Sequence, residues 1–219
     1  MPGTAIAIAI SPVVTPHAAA SGVTEYYNWV DASLSDVQMG STTNNSGRAV
    51  TSNATINELG VLSPGSHGNN DEYTLGLEFN SQIPPQGSVI ASGTLSLWWA
   101  STYDASPGVV KLYVSAHDAD TPAATNTTTG DLRASIRPRT TATTIVTVTS
   151  VVQGDGNELD IDITAVIQEL VDRAGWTATR IVILIDTHAD TTTGEWQDVS
   201  SFDDAGPGAG APPRLVIQV

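Results

Sequence analysis

Residues 162–190 read DITAVIQELVDRAGWTATRIVILIDTHAD, and the reading of this stretch decides the fold. Val166, Ile167, Leu170 and Val171 recur at helical spacing, with Gln168, Glu169, Asp172 and Arg173 on the other side. That pattern predicts one short amphipathic helix over about 165–174. Thr164 is suited to cap its first N–H groups through the hydroxyl, Arg173 suits the negative C-terminal end, and Gly175 suits a left-handed stop. The run Ile181-Val182-Ile183-Leu184-Ile185 then suits a strand buried on both faces and is far too short to cross a bilayer. A strand entering a helix is also where glycine-rich turns hold phosphates. The turn here, Ile163-Thr164-Ala165, has no glycine, so its backbone cannot close on a phosphate, which excludes a P-loop or dinucleotide fingerprint. The stretch reads as frame.

Outward from it, strand signals dominate. Thr4 to Ile10 alternates Ala with Ile, and Tyr73, Leu75, Leu77 and Phe79 alternate with polar or small residues. Further strands are expected over 23–30, 34–39, 48–52, 88–100, 109–116, 144–149, 158–163, 180–186 and 214–219. Between them lie SPGSHGNND (63–71), PPQG (84–87), DASPG (104–108), GDGN (154–157) and AGPGAGAPP (205–213), which are turn and loop chemistries. Many short strands with Gly/Pro punctuation predict an all-β sandwich or barrel.

The chain of 219 residues carries 23 acidic against 8 basic residues, a formal net charge of −15, and Lys111 is its only lysine. A nucleic-acid surface needs clustered Lys and Arg to displace counterions, and an anionic membrane needs the same, so neither partner is expected. There is no cysteine, which excludes disulfides, thiolate metal sites and a Cys nucleophile. The first residues, MPGTAIAIAISPVVTPHAAASG, lack Lys or Arg, and Pro12 and Pro16 break the apolar run, so no signal peptide is read there.

Two short clusters, His117-Asp118-Ala119-Asp120 and Asp186-Thr187-His188-Ala189-Asp190, end predicted strands. If they converged, His117, Asp118, Asp120, His188 and Asp190 would be candidate ligands for a divalent metal, or a base with an orienting carboxylate. Asx-type turns explain the same residues without a ligand, neither cluster has a zinc or calcium loop pattern, and no metal or other cofactor is expected. No G-x-S-x-G elbow is present, and no pair among Asp160, Asp162, Asp186, Glu195, Asp198, Asp203 and Asp204 stands out for glycoside hydrolysis. No enzyme is expected. Among the aromatic residues, Trp98, Trp99 and Trp196 are candidates for stacking on glycan rings, as are Trp29, Tyr26 and Tyr27. Neighbours on a strand face opposite ways, so one of Trp98 and Trp99 should face the core, and Trp176, just after the helix stop, suits packing.

LGLEFNSQIPPQGSVIASGTLSLW (75–98), RASIRPRTTATTIVTV (133–148), ELDIDITAVIQELVDRAGW (158–176) and PPRLVIQV (212–219) follow one another in an order that resembles the DNRLRE-type domains of bacterial surface proteins and related phage-encoded modules. The resemblance implies a jelly-roll β-sandwich over 46–219 with one short helix, preceded by an extended N-terminal arm over 1–45. It transfers no catalytic residue; its members are structural or binding modules, some carbohydrate-binding. The expected function is a non-enzymatic virion structural protein of a tailed phage: a capsid decoration, collar, fibre or tail accessory subunit. Such a subunit is assembled in the host cytoplasm, exposed after lysis, and bound to other virion proteins as a homo-oligomer. Thr4, Ile6, Ile8 and Ile10 are its expected assembly arm. The alternative is a carbohydrate-binding module that touches host surface glycan through Trp98, Trp99 and Trp196.

Overall fold

The computed structural model describes residues 23–30, 36–41, 50–52, 56–62, 72–98, 109–125, 132, 134–148, 158–188, 195–200 and 211–219. In chain order the elements are β1 (Glu25–Trp29), β2 (Asp36–Ser41), β3 (Val50–Ser52), β4 (Ile56–Leu62), β5 (Glu72–Phe79), β6 (Ser92–Trp98), β7 (Val110–Ala116), β8 (Thr144–Val148), β9 (Glu158–Asp162), α1 (Thr164–Val171), β10 (Ile181–Thr187), β11 (Glu195–Ser200) and β12 (Arg214–Gln218). One sheet has four strands in the order β1-β12-β6-β9. The second has six, β3-β2-β5-β10-β7-β8, and β11 pairs with β4 in a separate ribbon. Every pairing is antiparallel.

Set β2, β3 and the ribbon aside, and renumber the remaining eight strands from one to eight along the chain. The sheets then run 1-8-3-6 and 2-7-4-5, the order of a jelly roll. The all-β sandwich with a single short helix among the described residues is therefore the fold.

Period-two burial builds it. Leu75, Leu77 and Phe79 of β5, Ile181, Ile183 and Ile185 of β10, and Leu112 and Val114 of β7 face Leu95 and Leu97 of β6 and Leu215 and Ile217 of β12 in one core. Val182 and Leu184 of β10 are also fully buried, in a second cluster with Leu132 on the far side of the sheet. That is why the Ile181–Ile185 run does not alternate. The helix lies against β6 and β7, one strand from each sheet, and buries Val166, Ile167, Leu170 and Val171. It closes that end of the core.

Several expectations are corrected. The sandwich takes in more chain than 46–219, because β1 pairs with β12 and β2 with β5. The arm expectation over Thr4, Ile6, Ile8 and Ile10 lies outside the described residues, as do Trp99 and Asp190. Strands β4 and β11 are additions. INELGVL does not alternate and EWQDVS is mostly polar, and the two strands pair with each other rather than with a neighbour in sequence.

The helix ends also differ from expectation. Its N-cap is Ile163, without a side-chain cap bond. The Thr164 hydroxyl accepts from Gly93 N–H at 2.9 Å and donates to Asp162 Oδ1 at 2.6 Å, so it is spent on tying helix to strand. Asp162 instead accepts the Thr164 N–H at 2.9 Å. These two bonds from Thr164, side chain first, hold the Asp162 carboxyl below the usual carboxylate range.

Gly175 is not left-handed; the positive-φ residue after the helix is Ala178, at 52°. Glycine is needed at 175 because a Cβ there would lie 2.2 Å from Asp120 Oδ2. Asp120 in turn accepts from Arg173 Nε at 2.8 Å, and Asp118 accepts from Arg173 Nη1. Gly175→Ala should displace Asp120 and cost about 1 kcal/mol, read as a lower urea midpoint at unchanged m-value. The cost should shrink when Asp120 is already Ala, which removes the carboxylate contacts and leaves only the Cβ of residue 120, 3.2 Å away.

Candidate functional site

Side chains of β1, β12, β6 and β9 that point away from the core meet around one arginine. In register, Trp29 pairs with Arg214, Arg214 with Ser96, and Ser96 with Asp160. Because Leu215, Leu95 and Leu97 take the inner face, Arg214, Ser96 and Trp98 share the outer one with Tyr27 and Trp29. The guanidinium of Arg214 lies 5.2 Å from the Trp98 ring centre and 5.6 Å from those of Tyr27 and Trp29. It donates to Tyr27 Oη at 3.1 Å, Ser96 Oγ at 2.9 Å and Glu158 Oε1 at 2.5 Å. Ser96 Oγ in turn donates to Asp160 Oδ1 at 2.5 Å. Trp29 stacks on Trp98 at 5.6 Å, and Tyr27 meets Trp29 edge-on at 5.8 Å.

The arrangement is an aromatic box whose cation is the protein's own. Chemically it does two things. It fastens the edge strand β1 and the last strand β12 to the sheet, and it leaves the half-buried rings of Tyr27 and Trp29 on a surface rimmed by Glu158 and Asp160. Trp98 is only 9 % exposed. It leaves the sheet on the outer side and is covered by Trp29 and Arg214, so it offers no open ring face, and the half-buried rings of this cluster are those of Tyr27 and Trp29. Trp196 falls on β11 at a break in the β4 register, away from this cluster in the sheet order. Trp176 packs as expected, its Nε1 donating to Pro84 O at 3.0 Å.

On the outer face of the other sheet, Leu132 packs with Val182 and Leu184, and Thr125, Arg137 and Arg139 lie beside it. Gly76 leaves room for Leu132, whose Cδ2 would be 2.9 Å from a Cβ. Around it runs a polar seam. Glu78, 5 % exposed, accepts Thr125 N–H at 2.7 Å and Thr125 Oγ1 at 3.1 Å and lies 3.3 Å from Arg180 Nε. Arg137, 2 % exposed, donates to the Ala123 and Ala124 carbonyls, both at 2.7 Å, and has Nη1 3.4 Å from His117 Nδ1. Arg139 forks Asp186 with two bonds of 2.9 Å and donates to the Arg137 and Leu132 carbonyls at 2.6 and 2.8 Å. Burial, then the positive charges of Arg137 and Arg139, lowers the His117 pKa from 6.5 to about 4. His117 is neutral at pH 7.

The two His/Asp clusters do not converge. His117 N–H bonds to Val182 O at the start of β10, whereas His188 N–H bonds to Lys111 O at the start of β7. Antiparallel pairing of β7 with β10 thus sets the two histidines at opposite ends, about 20 Å apart at 3.4 Å per residue. Asp118 and Asp120 are committed to Arg173, and the His188 ring packs on Tyr113 at 4.2 Å. Among the described residues no group of three or more His, Asp or Glu is placed to hold a metal ion.

Sequence reasoning missed Arg214, Arg137 and Arg139 as organising residues. The available signal was scarcity: with 8 basic residues in the chain, two stand in one Arg137-Pro138-Arg139 tripeptide. No family model matches this sequence, and no curated protein is significantly similar to it.

Proposed function

We propose that this chain is a non-enzymatic structural subunit of DNRLRE-like jelly-roll type, acting by protein–protein assembly in the virion of a tailed phage as a decoration, collar, fibre or tail accessory protein. The observation that carries the reading is how the described charged groups are spent. Arg139 pairs with Asp186, Arg173 with Asp118 and Asp120, Arg180 with Glu78, and Arg214 with Glu158, each pair joining segments of the frame. Charge used this way serves shape and leaves recognition to surfaces and edges. An antibody raised against the purified protein should label density-banded particles, in fixed ratio to their major shell protein. Recovery of all the protein from the particle-free fraction would sink the proposal.

The half-buried rings of Tyr27 and Trp29 beside Glu158 and Asp160 favour glycan binding as a second reading. Under it, Trp29→Ala should weaken binding to a responsive polysaccharide about tenfold, the size of one lost ring contact. Titration followed by tryptophan fluorescence checks this, with Trp196→Ala alongside. Loss with Trp196→Ala but not with Trp29→Ala would move the site to β11.

A further inference from the structure

Between β7 and β8 the chain makes an excursion whose described limbs are residues 118–125 and, after Leu132, residues 134–139. At its root the two limbs pair. His117 bridges Arg139, Asp118 N–H donates to Pro138 O at 2.8 Å, and Thr140 N–H donates to Ala116 O at 2.9 Å. The buried apolar cluster beneath is small: Leu132 packs with Val182 and Leu184 beside Gly76, apart from the large core between the sheets. What fastens the limbs is polar. Thr125 is tied to Glu78 of β5, Arg139 to Asp186 of β10, and Arg137 clasps one limb to the other through the Ala123 and Ala124 carbonyls. A segment held by polar bonds over a small apolar contact opens at lower free energy than the core beneath it.

The Arg137 clasp is built on a histidine that must stay neutral. Arg137 Nη1 lies 3.4 Å from His117 Nδ1, and His117 is 7 % exposed. A guanidinium has only donors, so this contact is a hydrogen bond only while Nδ1 carries no proton. One proton converts the acceptor into a donor and sets an imidazolium against a guanidinium where there is little water to screen them. Arg139 on the same limb and Arg173 in the turn after α1 add to the opposition, and Asp118, itself bound to Arg173, offsets it in part. Opening moves Arg137 away and lets water reach the ring, so the open form is the one that takes the proton.

We propose that residues 118–125 and 134–139, with Leu132, form an acid-released flap: proton uptake by His117 unlocks the Arg137 clasp and bares Val182 and Leu184 on the outer face of the six-stranded sheet while the sandwich stays folded. The sign follows from the ring. Its pKa in the closed form, about 4, lies below the 6.5 of a hydrated imidazole, so acid favours the open form, by roughly twentyfold between pH 7 and pH 5. The switch belongs to the chain itself and does not depend on the virion reading.

Hydrogen exchange on the purified full-length protein at pH 7 and pH 5, each amide scaled to its intrinsic rate, tests the flap. Thr125 N–H reports the flap, and Leu95 N–H of β6, a strand with a neighbour on each side, reports global unfolding. At pH 7 Thr125 should exchange at least about a hundredfold faster than Leu95 and with little urea dependence, the mark of a sub-global opening. At pH 5 its opening should be roughly twentyfold more favourable, with the small urea dependence kept. His117→Gln, whose amide oxygen accepts from Arg137 at either pH, should remove most of that rise. Arg137→Met, which deletes the clasp, should speed Thr125 exchange at pH 7 by at least about tenfold, and serves if His117→Gln folds poorly. If Thr125 and Leu95 share one urea dependence, nothing opens short of the whole fold and the flap is refuted. Thr125 exchange indifferent to pH, a rise undiminished in His117→Gln, or an Arg137→Met protein that exchanges like wild type overturns the trigger.

Discussion

Arg139→Ala should lower the unfolding free energy by about 3 kcal/mol, the loss expected when one partner of a partly buried ion pair is removed. Arg139 and Asp186 retain 17 % and 28 % side-chain exposure, so their forked contact is screened less than a surface pair. Asp186 keeps one side-chain donor, the Thr74 hydroxyl at 2.7 Å, and the Leu132 and Arg137 carbonyls lose the guanidinium. Arg139→Lys should recover less than half of the loss, because an ammonium cannot bind two carboxylate oxygens and two carbonyls in one plane. Replacing both partners by Leu should be milder than Arg139→Ala alone, since no carboxylate is then left without its cation. Urea unfolding of the four proteins measures all of this; a loss below about 1 kcal/mol for Arg139→Ala would assign the pair to the solvated surface.

Acidification should cost on the order of 2 kcal/mol through His117. Its folded pKa, about 4, lies below the ordinary 6.5, so between these values the unfolded chain holds the proton and the folded one does not. Stability from this group is complete above pH 6.5 and falls as pH drops toward 4. Arg137, Arg139 and Arg173 oppose the imidazolium, and Asp118 favours it. His117→Gln should flatten the pH dependence between 6.5 and 4.5. Carboxylate protonation, which relieves repulsion in this acidic chain, acts alike in both proteins. Melting temperature against pH for the pair isolates the difference, and parallel curves would refute it.

Most of the fold was legible because burial follows chain periodicity. Leu75, Leu77 and Phe79 and the helical stripe from Val166 to Val171 announce their elements and face the core as their spacing requires, and the unbroken Ile181–Ile185 run announces a strand buried on both faces. Strands β4 and β11 were not legible, because what stabilises them is pairing with each other across most of the chain, and INELGVL and EWQDVS have no amphipathic period of their own. The candidate site was less legible for the same reason. Tyr27, Trp29, Trp98, Ser96, Glu158 and Arg214 lie on four different strands, and only lateral register brings them together.

By itself the sequence determined the class of the molecule: an all-β chain with one short helix, acidic, without cysteine, and without a glycine turn for phosphate at its strand-to-helix junction. Spacing and composition are properties of single segments, and they suffice for that. Only the tertiary structure decided that Trp98 is buried under Trp29 and Arg214, that the two histidine clusters lie at opposite ends of paired strands, and that β8 is an uncharged edge. Each of these depends on which strands are neighbours and in what register. In a jelly roll, neighbours in space are mostly far apart in sequence, so no local pattern specifies them.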